Sequence, residues 1–280
     1  MKRLETFAEK KALVQQLNLE DDVFFEKAVE DKEVCEEMLR VILAMPELKI
    51  VGNEPQKFIR NIGTKSVILD LCCQDATGRI FNVEMQKSNN DDHLRRVRYY
   101  CSNLDTLSTE QGIKYEELPD MYMVYITKTD FLKGQKPIYH VKRTLAETGD
   151  IVYNGINEIY VNTAVYDGTD VAELMRLFRN SNYYDVRFPK VSSRINFLKE
   201  EFQGVTNVCE VVEKYAAEAY KEEFDELAKK IADKDAAIAD KDAAIADKDA
   251  AIADKDAKLA DKDAEIAELK RRLAELGKEK

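Results

Sequence analysis

The sequence predicts a mixed α/β domain, in which helices flank a mixed central sheet, followed by a C-terminal heptad-repeat helix. Before about residue 229 the sequence is complex, and its apolar residues follow helical spacing in some segments and strand alternation in others. The elements come in the order helix, hairpin, helix, strand, which is typical of a sheet covered by helices. Beyond this point the seven-residue unit IADKDAA recurs almost unchanged, which marks a separate segment.

The first predicted elements are a helix and a hairpin. The helix is expected over residues 20–44, and Pro46 ends it. Its apolar positions have i, i+3, i+4 spacing and are Val34, Cys35, Met38, Leu39 and Ile42. Strands are expected over residues 57–61, 66–74 and 79–87. The turn DATGR, which contains Gly78, lies between the last two strands and suits a hairpin.

A second helix is predicted directly after the hairpin. Asp91 or Asp92 would cap its start, and Gly112 would end it. Its apolar stripe consists of Leu94, Val97, Cys101 and Leu104. A strand over residues 121–127 follows, and shorter elements come after it: strands at PIYHV and EIYVN, and helices near residues 170–179 and 191–202.

Bulk composition limits the classes of function. The chain has 280 residues, of which 45% are hydrophobic, so a full core can form. Its formal net charge is −11, which is atypical of proteins that coat nucleic acid without specificity. Any contact with nucleic acid must therefore come from a local basic patch.

The cysteines predict no metal or redox motif. The chain has five cysteines, and their spacing matches neither a zinc motif nor a redox motif. They are Cys35, Cys72, Cys73, Cys101 and Cys209. We expect reduced thiols in a cytoplasmic protein. The first residues are charged and lack an apolar h-region, so no signal peptide is predicted, and no segment approaches the roughly 18 apolar residues of a membrane span.

Two acidic residues in the predicted hairpin are unusual. Asp70 lies in an otherwise apolar strand, where an unpaired carboxylate is unfavourable. Glu84 and Gln86 alternate with apolar residues on the next strand, so they share a face. If Asp70 faces the same way, the two carboxylates repel unless a proton or a divalent cation lies between them. The alternative is an ordinary half-exposed strand, which has the same alternation.

The stretches VILDLCCQD, NVEMQ and HLRRVRYYCSNLD resemble the PD-(D/E)XK nuclease superfamily, in particular its transposases and recombination-promoting nucleases, the Rpn-like proteins. DDVFFEKAVEDKEVCEEMLRVIL upstream and GIKYEELPDMYMVYITKTDF and NEIYVNTA downstream extend the resemblance over roughly residues 18–180. It implies a restriction-endonuclease-like core, DNA as the partner, and a Mg²⁺- or Mn²⁺-dependent endonuclease linked to transposition or recombination.

The resemblance also implies the roles of individual residues. Asp70 and Glu84 would be metal ligands, with the main-chain carbonyl of Met85 as a further ligand. An acidic residue on the first helix often assists in this superfamily, and here Glu36 or Glu37 would take that place. The alternative for both glutamates is a solvated helix face.

Gln86 stands where the superfamily name has a lysine. An amide orients a water molecule by hydrogen bonds but carries no positive charge beside a phosphate. The site is therefore expected to be slower than one with lysine, or to depend more on its metal. Lys87 is adjacent but on the opposite face of the strand, so it is a poor substitute.

Three arginines on the second helix are candidates for binding the DNA backbone. They are Arg95, Arg96 and Arg98, and a guanidinium pairs well with phosphate. The alternative is an ordinary solvated helix face.

The C-terminal repeat predicts a coiled coil. An apolar residue recurs every seventh position: Ile231, Ile238, Ile245, Ile252, Leu259 and Ile266. With these at position a, lysines occupy position d, so a weak homo-oligomer is expected; a frayed single helix is the alternative. We divide the chain into an N-terminal extension over residues 1–18, a nuclease-like domain over 19–225 and a heptad-repeat helix over 226–280.

The sequence therefore leaves two hypotheses of function. The first is a metal-dependent DNA endonuclease that hydrolyses phosphodiesters. The second is a catalytically weak or silent protein of the same fold, which acts by binding nucleic acid and by coiled-coil association. Nothing in the sequence separates a DNA target from an RNA target.

Overall fold

The computed structural model describes residues 6–59, 66–87, 92–109, 113–182 and 184–276. Its helices are α1 (Phe7–Gln16), α2 (Asp22–Val29), α3 (Lys32–Leu43), α4 (His93–Ser108), α5 (Asp170–Arg179), α6 (Pro189–Glu200) and α7 (Phe202–Leu276). Its strands are β1 (Ile50–Ile59), β2 (Val67–Asp75), β3 (Ile80–Gln86), β4 (Met121–Thr127), β5 (Ile138–His140), β6 (Arg143–Thr144), β7 (Ile151–Val152) and β8 (Ile156–Asn162). The chain forms two compact units, Met1–Tyr215 and Ala216–Lys280.

A six-stranded mixed sheet organises the first unit, in the order β1-β2-β3-β4-β8-β5. β1, β2 and β3 are antiparallel, whereas β3, β4 and β8 are parallel and β5 is antiparallel to β8. The helix α4 connects the parallel neighbours β3 and β4, as a crossover between parallel strands requires. The predicted mixed sheet flanked by helices is confirmed.

Each face of the sheet has its own apolar core. On one face α4 supplies Val97, Tyr100, Cys101 and Leu104. On the other face, side chains of α1, α2, α3, α5, α6 and the first turns of α7 cover Leu71, Cys73, Phe81 and Val83. Cys72 packs with the α4 cluster and Cys73 with the other, so these neighbours point to opposite faces as strand alternation requires.

The helix predicted over residues 20–44 is two helices, α2 and α3. Asp31 separates them: its backbone is extended, with φ −83° and ψ 115°, and its carboxylate accepts a hydrogen bond from the backbone N–H of Glu33 at 2.9 Å. This is an N-cap, which begins a helix and cannot continue the preceding one. The apolar spacing ran through the break, so the pattern alone did not reveal it.

Other element boundaries also differ from the predictions. β1 begins at Ile50 because it pairs with β2 from Ile50↔Asp75 to Ile59↔Val67; residues 60 and 61 lie outside the described residues. The start of α4 agrees with the prediction, since the Asp92 carboxylate accepts a hydrogen bond from the backbone N–H of Arg95 at 3.1 Å. The alternative cap Asp91 and the predicted end at Gly112 are also outside the described residues.

The second unit contains the helical repeat. The apolar residues at its heptad positions, from Ile231 to Ile266, have side chains that are 48–58% exposed. Ion pairs join Lys230 to Glu226, Lys258 to Asp254 and Arg271 to Glu268. These pairs involve residues that flank or interrupt the IADKDAA unit, which itself places no opposite charges three or four residues apart. In the described part of the chain, no helix is both long and apolar enough to cross a membrane.

Candidate functional site

Asp70 and Glu84 lie where β2 and β3 stop pairing. The backbone register of the two strands runs from Gln74↔Ile80 to Leu71↔Val83. At the next position the backbone N–H of Asp70 donates to Glu84 Oε1 at 3.3 Å. The backbone N–H of Met85 donates to Asp70 Oδ2 at 2.8 Å. Each carboxylate therefore accepts a hydrogen bond from the opposite strand at the point where the strands diverge.

The alternation of side chains along β2 is interrupted at Asp70. Leu69 packs in the α4 cluster and Leu71 in the cluster on the other face, although residues two apart on a regular strand share a face. Gln56 of β1 lies opposite Asp70, because its neighbours Pro55 and Lys57 pair with Leu71 and Leu69. The φ of Gln56 is 51°. A positive φ is uncommon for a residue other than glycine. The Gln56 side chain lowers the pKa of the Asp70 carboxyl, so this irregular position acts on the site.

The electrostatics of the pair favour a proton or a cation. The pKa of Asp70 is raised to about 6, chiefly by burial; the backbone bond from Met85 opposes the shift and the charge of Asp22 adds to it. Burial and the charge of Asp70 raise the pKa of Glu84 well above its usual range. Glu84 is only 3% exposed and also accepts a hydrogen bond from Asn82 Nδ2 at 2.7 Å.

The charge of Asp22, a helix acid that the sequence analysis does not identify, acts on Asp70. Asp22 is the first residue of α2. The only signal in the sequence is the pair of adjacent acids Asp21 and Asp22, which come shortly before the FFEK segment. The single long helix predicted over residues 20–44 does not distinguish them as the start of α2.

Glu36 and Glu37 are not brought to the carboxylate pair. Glu36 accepts hydrogen bonds from Arg40 Nη2 at 2.8 Å and from the backbone N–H of Ile50 at 2.9 Å. Ile50 pairs with the last residue of β2, far along that strand from Asp70. Glu37 accepts from the backbone N–H of Val191 at 2.8 Å, at the start of α6. Both glutamates join α3 to its neighbours in the fold.

Gln86 follows Glu84 by two residues and shares its face of β3. It pairs with Thr127 of β4, and its carbonyl accepts a hydrogen bond from the backbone N–H of Lys128 at 3.3 Å. Lys87 donates to Asp21 Oδ1 at 2.8 Å, so its ammonium group is engaged at the start of α2. Met85 contributes its backbone N–H to Asp70, and its side chain is buried in the core.

The three arginines of α4 are placed differently from one another. Arg95 pairs with Asp92, and its side chain is 78% exposed. Arg98 is also exposed. Arg96 is half-buried, and its charge lowers the pKa of both Asp70 and Glu84, which means that its guanidinium lies on the site side of the helix. The three residues thus do not form a single basic patch.

The raised pKa values give a prediction for the metal-free protein. The folded state binds more protons than the unfolded chain between the ordinary pKa of Asp70, 3.8, and its folded value of about 6, so stability falls as pH rises through this window. Asp70→Asn removes a buried charge and is expected to raise the unfolding free energy at pH 8 by about 1–3 kcal/mol. Glu84→Gln is expected to change stability in the same direction. This advantage should disappear near pH 4. Chemical denaturation in the presence of a chelator measures both.

Asp75 provides a contrast for this prediction. Burial opposes ionisation there, but hydrogen bonds from Thr77 and Arg79 outweigh it and lower the pKa of Asp75. Asp75→Asn is therefore expected to destabilise the protein at pH 8. Lower stability of Asp70→Asn than of wild type at pH 8 would show that the two carboxylates do not repel.

Comparisons with known proteins identify the family of the chain. The family model described as "PD-(D/E)XK nuclease family transposase" matches residues 22–241. No curated protein and no solved structure matches the chain. Among the described residues, no three His, Cys, Asp or Glu side chains form a group that could hold a metal ion.

Proposed function

The chain belongs to the PD-(D/E)XK nuclease family transposases, and from this premise we propose that it is a divalent-metal-dependent DNA endonuclease linked to transposition or recombination. The observation that carries the proposal is the pair of carboxylates, Asp70 and Glu84, at the divergence of β2 and β3, with raised pKa values on both. A pair of this kind is poised to exchange protons for a cation.

The residues at the site fit Mg²⁺ or Mn²⁺. Mg²⁺ is commonly held by one or two carboxylates and keeps several waters, so a group of three acidic ligands is not required. Asn82 is fully buried beside Glu84, and its Oδ1 accepts no hydrogen bond within the described residues. A water bound to a cation would be a donor of the kind that this oxygen lacks.

In the proposed mechanism Asp70 and Glu84 would hold the cation, and the main-chain carbonyl of Met85 would be a third protein ligand. The bound metal would lower the pKa of water and neutralise charge on the phosphate. Gln86 orients the attacking water by hydrogen bonds, and Asp22 adds negative charge at the start of α2. Arg95 and Arg98 are exposed on α4, which supports the proposal that they contact the DNA backbone.

Nicking of supercoiled plasmid by the purified wild-type protein tests this function. We expect nicks with Mg²⁺ or Mn²⁺ and none with a chelator. A parallel reaction with a single-stranded RNA distinguishes the nucleic acid. The absence of cleavage of either substrate with both metals would overturn the proposed function.

The second candidate is a catalytically weak or silent protein that binds nucleic acid and self-associates. Gln86 in place of lysine favours it, as does the row of half-exposed isoleucines on the repeat. We propose residues 226–280 as a weak oligomerisation helix and 19–225 as the nuclease-like domain, with residues 1–18 as an extension that contains α1.

Truncation of the repeat tests this proposal. The full chain is expected to self-associate weakly, because isoleucine at a is paired with lysine at d along the seam. A chain that ends at residue 225 should be folded and of lower oligomeric state, as measured by sedimentation. Equal association states would remove the oligomerisation claim, and an unfolded short chain would show that the boundary is misplaced.

A further inference from the structure

The candidate site lacks a cation on β3 at the position where the superfamily has lysine. Gln86 is neutral, and the neighbouring Lys87 is engaged with Asp21. Hydrolysis of a phosphodiester places additional negative charge on the phosphate oxygens, and enzymes stabilise it with fixed positive groups. A guanidinium suits this role because it is always charged and presents several donors to phosphate.

Arg96 is held on the site side of α4 by specific contacts. Its Nε donates to the Tyr100 hydroxyl at 2.6 Å, one helical turn further along. The guanidinium carbon also lies 5.5 Å from the centre of the Tyr100 ring. Tyr100 is only 6% exposed and packs in the cluster with Val67 and Leu69, which come before Asp70 on β2. The residue that holds Arg96 thus packs in the same apolar cluster as the strand that carries the first carboxylate.

Helical geometry separates Arg96 from its neighbours. At about 100° per residue, Arg95 and Arg98 lie about 60° apart on the helix surface, whereas Arg96 lies about 160° from Arg98. The burial agrees, because Arg95 and Arg98 are exposed and Arg96 is half-buried. The charge of Arg96 acts on Tyr100 as well as on both carboxylates. The three arginines therefore do not share one face of α4.

We propose that Arg96 contacts the scissile phosphate and supplies the positive charge that Gln86 cannot, an assignment that rests on the proposed nuclease function. In the reaction a water oxygen bonds to phosphorus, one ester P–O bond breaks, the water gives a proton to solvent and the leaving oxygen gains one. Arg96 keeps its own proton and stabilises the charge on the non-bridging oxygens. Tyr100 is a positioning residue that fixes the guanidinium.

Arg96→Met tests the assignment in the full-length protein. We expect kcat for plasmid nicking with Mn²⁺ to fall by about 100-fold or more, as when a transition-state donor is removed. KM should change little, and Mn²⁺ affinity, measured by calorimetry, should stay the same or rise, since a positive charge beside the cation is lost. Arg179→Met, at an exposed arginine on α5, controls for the loss of a surface arginine.

A compensating change makes the test specific. Gln86→Lys restores a cation beside the phosphate, so in the Arg96→Met background it should recover at least about tenfold of the lost kcat. A purely structural role for Arg96 would not respond to this second change. If Arg96→Met does not fold, Arg96→Gln replaces it, because the amide retains a donor for the Tyr100 hydroxyl.

The outcomes separate this assignment from the proposed function. An active wild type whose Arg96→Met variant keeps its kcat within about threefold, or loses Mn²⁺ binding together with its activity, overturns the role of Arg96 alone. An inactive wild type overturns the nuclease function and, with it, this role. Tyr100→Phe should lower kcat by a smaller factor than Arg96→Met, because it releases the guanidinium without removing it.

Discussion

Asp70→Asn and Glu84→Gln should each reduce metal-dependent DNA cleavage by about a thousandfold or more, while the fold remains intact. Both side chains lie at the divergence of β2 and β3, and the amide replacements still accept the backbone N–H bonds that the structure shows there. What the amides lose is the negative charge that holds a divalent cation. Single-turnover nicking of plasmid, with circular dichroism of each variant, measures the two effects separately.

A matched control is available on α4. Asp105 is half-buried, and burial raises its pKa, but it does not belong to the carboxylate pair. Asp105→Asn should therefore leave cleavage close to wild type. Gln86→Ala should slow cleavage less than either carboxylate change, since it removes a group that orients water and leaves the metal ligands in place. Full activity of Asp70→Asn would show that the pair does not bind the metal.

Lys199→Met should produce the largest loss of stability that we expect from a single change. Lys199 is only 3% exposed, and its ammonium donates to the carbonyls of Gln15, at 3.1 Å, and Leu17, at 2.6 Å. It also donates to the carbonyl of Ser181 and lies 5.3 Å from the ring centre of Phe24. One side chain thus joins α6 to the end of α1 and to the segment after α5.

The expected loss follows from the unsatisfied carbonyls. Methionine fills similar space but donates no hydrogen bond, so buried acceptors are left without partners, and the unfolding free energy should fall by about 3–5 kcal/mol. Chemical denaturation measures the change. Lys190→Met, at an exposed lysine on the same helix that pairs with Glu33 at 2.6 Å, should have little effect. Equal stabilities for the two variants would contradict a structural role for Lys199.

The pH dependence provides a second check on Lys199. Burial lowers the pKa of Lys199 to about 8, below the usual 10.5, so at higher pH the unfolded chain binds more protons than the folded one. The contribution of Lys199 to stability therefore increases as pH rises between these two values. The difference in stability between wild type and Lys199→Met should be larger at pH 9.5 than at pH 7.

The sequence by itself determined the features that depend on local spacing. The pattern of apolar residues was enough to predict β4, whose expected range of 121–127 agrees with Met121–Thr127. It was also enough to predict α5, which spans Asp170–Arg179. The hairpin of β2 and β3 followed from strand alternation on either side of a turn with Gly78. Each of these signals lies within a single segment, so no knowledge of distant contacts was needed.

Only the tertiary structure decided the features that depend on which segments meet. The facing of Asp70 changes because β2 leaves β3 there and Gln56, from a third strand, adopts a positive φ opposite to it. The helix acid whose charge acts on Asp70 is Asp22 and not Glu36 or Glu37, because the predicted long helix breaks at Asp31 and each piece packs separately.

The distinct placements of Arg96 and Lys199 have the same origin. Each is a basic residue in a helix, and the pattern around it reads as a solvated face. Burial and partners separate them: Tyr100 fixes the Arg96 guanidinium on the site side of α4, and backbone carbonyls from two distant segments surround the Lys199 ammonium. Desolvation and pairing depend on groups far apart in the chain, so spacing along one helix does not encode them.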